Sequence, residues 1–215
     1  MVTALPYKTD NGAAGMPGII LDLCGGTGAW SRPYKLAEYD VRLITLPEYD
    51  VCDYIPPGNI YGILAAPPCT EFSLAKNGSH RKRDLESGMR VVKAVMEIVW
   101  RCRLDGHLKF WALENPVGYL RQFLGIPNFT FEQWEFGGNK RKRTDVWGYF
   151  NEPKKTCKSM PPKMSPEIYG KGRGHGYDWS VPKAPAWLDP KGLTRADLRS
   201  ITPDGFAQAF FRANK

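Results

Sequence analysis

The segment Pro67-Pro68-Cys69 places a cysteine directly after a short apolar run, residues 63–66. Ligands of an open α/β sheet collect outside the carboxyl ends of its strands, so a cysteine at such an end is in position to act as a nucleophile. The two prolines fix φ and lack backbone donors, which gives the cysteine a stiff support. A nucleophilic cysteine needs thiolate character, and none of the three histidines is placed by sequence to deprotonate it. An inert, buried thiol is the alternative.

A glycine-rich turn lies upstream of this cysteine. Residues 18–23 are an apolar run that predicts a strand, and the chain continues as Cys24-Gly25-Gly26-Thr27-Gly28. Glycines at a strand-to-helix turn let the backbone approach a ligand closely, which fits nucleotide and nucleoside cofactors. The turn lacks the Lys-Ser/Thr pair of a phosphate-binding loop, and its spacing departs from the dinucleotide pattern. A tight turn without a ligand is the alternative.

Acidic residues follow a second apolar run, residues 41–46, which predicts another strand. They are Glu48, Asp50 and Asp53. A carboxylate at the end of the second strand of such a sheet commonly accepts hydrogen bonds from ribose hydroxyls. The sequence does not select one of the three, and a solvated acidic turn is the alternative for each.

Two further segments carry groups suited to a base or a phosphate. The apolar run 108–113 ends at Glu114, whose carboxyl group could protonate or hydrogen-bond a ring nitrogen, with a turn or capping role as the alternative. In the basic run 139–143, alternate residues of an extended chain point the same way. Arg141 and Arg143 therefore share a face that suits a phosphate and a base carbonyl, with a solvated basic run as the alternative.

The elements that would position these groups alternate between strand and helix. The predictions, besides the runs above, are residues 29–38 (helix), 61–66 (strand), 84–103 (helix), 117–124 (helix or turn) and 144–150 (strand). Such alternation predicts an α/β fold with a mostly parallel sheet and helices on both faces. Residues 151–192 are rich in Pro, Gly and Lys and predict a loop-rich appendage, after which residues 193–214 recover a helical pattern.

The bulk properties fit a globular chain of 215 residues with a net charge of +8, which favours a polyanionic partner. The five cysteines are widely spaced and form no CxxC pair or zinc-ligand spacing, so we expect a reducing compartment and no structural metal. The N-terminus lacks a charged segment followed by an apolar stretch, and no apolar run approaches the roughly 18 residues of a membrane span. We therefore expect neither secretion nor membrane insertion.

Four segments, in chain order, resemble motifs of the cytosine-5 DNA methyltransferase family, above all its short, phage-type members. Residues 21–28 resemble the cofactor motif Asp-Leu-Phe-x-Gly-x-Gly. Residues 67–73 look like the nucleophile motif Pro-Cys-Gln-x-Phe-Ser. Residues 114–116 are similar to Glu-Asn-Val, and residues 139–143 to Gln-x-Arg-x-Arg.

The resemblance implies a Rossmann-like, S-adenosylmethionine-dependent methyltransferase fold and transfer of a methyl group to C5 of cytosine in DNA. Cys69 would attack C6, Glu114 would bond N3 and the exocyclic amine, and Arg141 or Arg143 would hold the base carbonyl and the backbone. The electron density would reach C5, which takes the methyl group, and loss of the C5 proton would release Cys69. A target base in a duplex would first leave the stack.

The resemblance also assigns binding residues. For the cofactor, S-adenosylmethionine, these are Asp22, Leu23, Cys24, Gly25, Gly26, Thr27, Gly28, Glu48, Asp50 and Pro67. For DNA they come from the basic run and from a mobile loop, residues 71–83, and are Ser73, Arg81, Lys82, Arg83, Asn139 and Lys140.

The chain departs from the family in three places. Pro116 stands where Val is usual, Asn139 replaces Gln, and no separate target-recognition domain follows residue 150. We therefore predict a catalytic and cofactor-binding core in residues 1–150, a reduced DNA-contacting region in 151–192, and a C-terminal helix in 193–215 that packs back on the core. A DNA-contacting region of this size fits recognition of a short or relaxed DNA sequence.

We expect a monomer without metal in the cytoplasm of a bacterial or phage-infected host cell. Two alternatives stay open. One is the same chemistry on a free deoxycytidine nucleotide or on RNA. The other is a weakly active DNA-binding accessory protein that retains the fold.

Overall fold

The computed structural model describes residues 18–78, 80–138, 142–159 and 183–215. Its strands are β1 (Ile19–Leu23), β2 (Asp40–Ile44), β3 (Ile60–Ala65), β4 (Phe110–Pro116), β5 (Phe129–Glu132) and β6 (Arg143–Tyr149). Its helices are α1 (Arg32–Leu36), α2 (Leu85–Leu104), α3 (Arg121–Leu124), α4 (Arg195–Ser200) and α5 (Asp204–Ala213). Two 3-10 helices, Leu74–Gly78 and Gln133–Phe136, complete the elements of these residues.

The six strands form one mixed sheet in the order β2-β1-β3-β4-β6-β5. The pairs β2–β1, β1–β3 and β3–β4 are parallel. The pairs β4–β6 and β6–β5 are antiparallel. The α/β class is confirmed, and the sheet is mixed: five of its six strands run in the same direction, and β6 runs against them. Side-chain alternation is the same in parallel and antiparallel strands, so the sequence pattern does not encode the reversed direction of β6.

Alternate residues of the strands face two apolar layers. Leu21, Ile63 and Leu113 face the layer that contains α2. Their neighbours Ile20 and Leu64 face the layer that contains α1 and α5. Helices therefore cover both faces of the sheet, as the sequence predicts.

The long helix α2 begins where a side chain caps it. The carboxylate of Asp84 accepts a hydrogen bond from the backbone N–H of Ser87 at 2.9 Å. The buried residues that follow, Val92, Val95, Val99 and Cys102, recur at three- and four-residue steps and pack on the sheet.

The other predicted elements differ mainly at their ends. Strand β4 continues through Pro116, so Glu114 lies within the strand. The C-terminal pattern forms two helices that are separated at residues 201–203, where Pro203 stands directly before α5. Residues Phe206 and Phe210 of α5 are fully buried against Trp30, so the chain's last helix packs on the sheet core. Helices and strands are absent from the described part of the predicted appendage, residues 151–159 and 183–192.

Candidate functional site

Three loops meet at the carboxyl edge of the parallel strands. The backbone N–H of Cys24 donates to the carbonyl of Ile44 at 2.7 Å, and that of Ala66 donates to the carbonyl of Leu23 at 2.9 Å. The helix after β1 covers one face and the helix after β3 covers the other, although the two strands are neighbours. The chain order thus reverses between β1 and β3, and a ligand crevice is expected there.

The glycine turn after β1 is built around a buried acid. The Ser31 hydroxyl donates to the carboxylate of Asp22, which is fully buried. A Cβ atom on Gly25 would lie 2.3 Å from the carboxylate carbon, so only glycine fits there. Gly26 and Gly28 have φ values of 55° and 70°, a region that glycine adopts without strain. The turn therefore exposes its backbone, and the carboxylate of Asp22 is buried beneath that backbone.

The second oxygen of the Asp22 carboxylate has an unmet hydrogen-bonding capacity. Its Oδ1 is buried and has no partner among the described residues. Burial raises the pKa of this carboxyl group to about 6, against the smaller opposing effect of the Ser31 hydrogen bonds. A buried acceptor of this kind suits a ligand that brings a hydrogen-bond donor or a positive charge.

The acids after β2 are solvent-exposed. The Asp50 carboxylate accepts a hydrogen bond from the backbone N–H of Cys52 at 2.9 Å and closes a local turn. Glu48 and Asp53 are also exposed. All three lie in the loop that follows β2, beside the glycine turn.

The Pro-Pro-Cys segment is held in place from β4. The side-chain amide of Asn115 donates to the buried carbonyl of Pro67 at 2.9 Å. The carbonyl of Cys69 accepts hydrogen bonds from the backbone N–H groups of Phe72 and Ser73, at 3.0 and 2.8 Å. These bonds fix the backbone on both sides of the thiol, which is itself half-buried.

Three charged groups act on the Cys69 thiol. Burial raises the pKa of Cys69, and the negative charge of Glu114 raises it further. The Lys142 ammonium is the largest opposing influence, and Arg199 adds a smaller one. The cysteine, the glutamate and the lysine thus interact electrostatically although they stand far apart in the chain.

Glu114 lines a small pocket at the end of the sheet. Its walls also include Lys142 directly before β6, Thr144 of β6, and residues 200–203, from the last residue of α4 to the residue before α5. Burial raises the pKa of Glu114, and the Lys142 ammonium opposes the rise. The carboxyl group therefore holds a proton to a higher pH than an exposed glutamate does.

Arg143 does not line the pocket that contains Glu114, whereas Lys142 does. It is exposed and precedes Thr144 at the start of β6, whose alternate side chains point to opposite faces. The pocket receives Lys142 and Thr144. The alternation that groups Arg141 with Arg143 also groups Lys142 with Thr144, but alternation alone does not tell which pair faces the pocket. Asn139, Lys140 and Arg141 lie outside the described residues.

The loop after Cys69 is tied to the start of α2 by one arginine. Arg83 donates to the carbonyls of Glu71 and Ser73 at 2.6 and 2.9 Å, and to the side chain of Asn77 at 2.6 Å. Its guanidinium group also lies 4.3 Å from the ring centre of Tyr119. Arg83 therefore anchors the loop, a role that the sequence did not predict.

The other residues that the sequence assigned to DNA in this loop are the half-buried Ser73 and the exposed Arg81 and Lys82. The Ser73 hydroxyl accepts a hydrogen bond from the backbone N–H of Ala75 at 3.2 Å.

In the described part of the chain, no helix is long and apolar enough to cross a membrane. The same residues contain no group of three or more His, Cys, Asp or Glu side chains that could hold a metal ion.

Comparison with known proteins leaves the family open. The chain matches no protein-family model, and no curated protein has a significantly similar sequence.

Proposed function

We propose that this protein is an S-adenosylmethionine-dependent methyltransferase that acts on C5 of cytosine in DNA. The observation that carries the proposal is that Glu114 and Lys142 line one pocket at the carboxyl edge of the sheet and that both charges act on Cys69, which follows the neighbouring strand β3. A thiol, a carboxyl group with a raised pKa and an ammonium group are the set that nucleophilic addition to a pyrimidine needs.

Cys69 would be the nucleophile. Its sulfur would form a bond to C6 of the ring, and the same bond would break when the C5 proton leaves. Support comes from its fixed backbone and its partial exposure, which leave the thiol open to a ligand. The raised pKa of the thiol means that a proton must be removed from it, or the thiolate stabilised, before attack.

Glu114 would hold the ring at N3. Attack at C6 places negative charge on the ring, and a carboxyl group that keeps its proton can donate to N3 and neutralise that charge. Burial raises the pKa of Glu114, which supports this role. Lys142, on the same pocket wall, would donate to the neighbouring carbonyl oxygen of the ring.

The glycine turn fits the cofactor that this chemistry requires. S-adenosylmethionine supplies the methyl group when bound, and it carries ammonium and sulfonium charges. The unpartnered Oδ1 of Asp22 offers a buried acceptor, and the open backbone at Gly26 leaves room for close approach. Residues Asp22 to Gly28 and an acid from the loop after β2 would hold it.

DNA is the substrate that the charge of the chain favours. The net charge is +8, and Arg81 and Lys82 lie exposed in the loop that follows Cys69. The base must leave a duplex stack to reach a half-buried thiol.

The test is transfer of a radiolabelled methyl group from S-adenosylmethionine to four substrates: duplex DNA, single-stranded DNA, RNA and dCMP. We expect label in DNA with the wild type and with Cys157→Ser, a matched cysteine control away from the site, and none with Cys69→Ser. Label found only in RNA or only in dCMP would show that DNA is not the substrate and would refute that part of the proposal. Full transfer by Cys69→Ser would refute the mechanism.

A further inference from the structure

We propose that Lys142 is a positioning residue of this site, whose ammonium group keeps the Cys69 thiol reactive beside the Glu114 carboxyl group. The family resemblance gives this place to arginines of the basic run, and the geometry assigns it to the lysine between them. The role of Cys69 as nucleophile rests on the proposed function, whereas the action of Lys142 on the thiol does not.

The first support is the register of the sheet. In the antiparallel pair β4–β6, Glu114 lies opposite Val146 and Pro116 lies opposite Thr144. Lys142 precedes Thr144 by two residues, and both line the pocket that Glu114 lines. Lys142 thus extends the row of side chains that faces the pocket, and Arg143 belongs to the other row.

The second support is the anchoring of the ammonium group. Lys142 Nζ donates to the carbonyl oxygen of Arg199 at 3.4 Å, near the C-terminal end of α4. The following residues, 200–203, close the other side of the pocket. This carbonyl restricts a long and otherwise flexible side chain to the region beside Glu114.

The third support is the balance of charge around the thiol. The groups that act on Cys69 are Glu114 from β4, Lys142 before β6 and Arg199 from α4. Asp145 is a further negative group that acts on Glu114. Lys142 is the positive group with the largest effect on both Cys69 and Glu114. Its loss therefore leaves the negative charges of the thiolate and the carboxylate less well stabilised.

The experiment measures the ionisation of Cys69 directly. Iodoacetamide reacts with the thiolate, forming the S–C bond and releasing iodide, and mass spectrometry of the peptide that carries Cys69 separates it from the other four cysteines. The rate is measured against pH for the wild type, Lys142→Met, Lys142→Arg and Glu114→Gln. Lys109→Met is the matched control, because Lys109 is exposed and precedes β4 at the opposite edge of the sheet.

We expect Lys142→Met to slow alkylation of Cys69 several-fold at neutral pH and to move the pH midpoint upward. Lys142→Arg keeps a positive charge and should restore most of the rate, and Glu114→Gln should move the midpoint downward. The double variant Lys142→Met/Glu114→Gln completes a double-mutant cycle, which measures the coupling between the two charges in their effect on the alkylation rate. Thermal unfolding of each variant confirms that it is folded.

An unchanged alkylation profile in folded Lys142→Met would overturn the inference. The same profiles are compared with methyl transfer to DNA. A shifted alkylation profile in a chain that transfers no methyl group would refute the proposed function and leave the role of Lys142 intact. Methyl transfer whose pH–rate profile is the same in the wild type and in Lys142→Met would refute the role of Lys142 alone.

Discussion

The buried carboxyl group of Asp22 makes the stability of the protein depend on pH in a calculable way. Burial raises its pKa from the ordinary value of 3.8 to about 6. The folded chain therefore binds this proton more tightly than the unfolded chain does. The contribution of this group to stability is complete below pH 3.8 and is lost as the pH rises through about 6.

The perturbation is Asp22→Asn, which removes the titration while the side-chain oxygen can still accept the hydrogen bond from Ser31. Each unit of pKa difference corresponds to about 1.4 kcal/mol. For the pKa values of 3.8 and about 6, the wild type should lose about 2.5 kcal/mol relative to Asp22→Asn between about pH 4 and pH 7.5.

The assay is urea denaturation of both proteins at a series of pH values. Other titrating groups affect the two proteins equally and cancel in the difference. Asp53→Asn, at an exposed acid of the loop after β2, is the matched control for the replacement of a carboxylate by an amide. Parallel curves for Asp22→Asn and the wild type across this range would refute the reasoning.

Three further substitutions test how the site is held. Asn115→Ala removes the amide that bonds the buried Pro67 carbonyl, and urea denaturation should show a loss of about 1–3 kcal/mol, whereas a loss below about 0.5 kcal/mol would contradict the structure. Arg121→Met leaves the fully buried Asp145 without its two short hydrogen bonds from the guanidinium group, and calorimetry should show a loss of about 3–5 kcal/mol, with near-wild-type stability as the contrary result. Gly25→Ala adds a methyl group 2.3 Å from a buried carboxylate carbon, so titration calorimetry should show strongly weakened binding of S-adenosylmethionine, and unchanged affinity would mean that the turn does not hold it.

The sequence predicts best those elements whose apolar pattern is long or sharply bounded. Strands β1 and β3 are bounded by a glycine turn and a proline pair, and α2 is a helix of 20 residues whose buried residues recur at three- and four-residue steps. Strand β5, Phe129–Glu132, was missed because four residues are too few for a clear period. The sequence does not give the direction of β6, because side-chain alternation is the same in parallel and antiparallel strands.

The site shows the same division between local and long-range information. Cys69 and Glu114 could be selected because each follows or ends an apolar run. Lys142 could not be selected in the same way, since its place depends on the register between β4 and β6 and on a carbonyl of α4. Arg83 was assigned to DNA because it is basic, and only the folded loop reveals its hydrogen bonds to Glu71 and Ser73.

Covalent trapping tests the central claim most directly. DNA that contains 5-fluorocytosine has no C5 proton to lose, so a cysteine that attacks C6 stays bonded to the base after methyl transfer. With S-adenosylmethionine present, the wild type should form a denaturant-stable complex with this DNA, mass spectrometry should locate the bond at Cys69, and Cys69→Ser should form none. A wild-type protein that binds the DNA and the cofactor yet forms no such complex, or forms it at another residue, would contradict the claim.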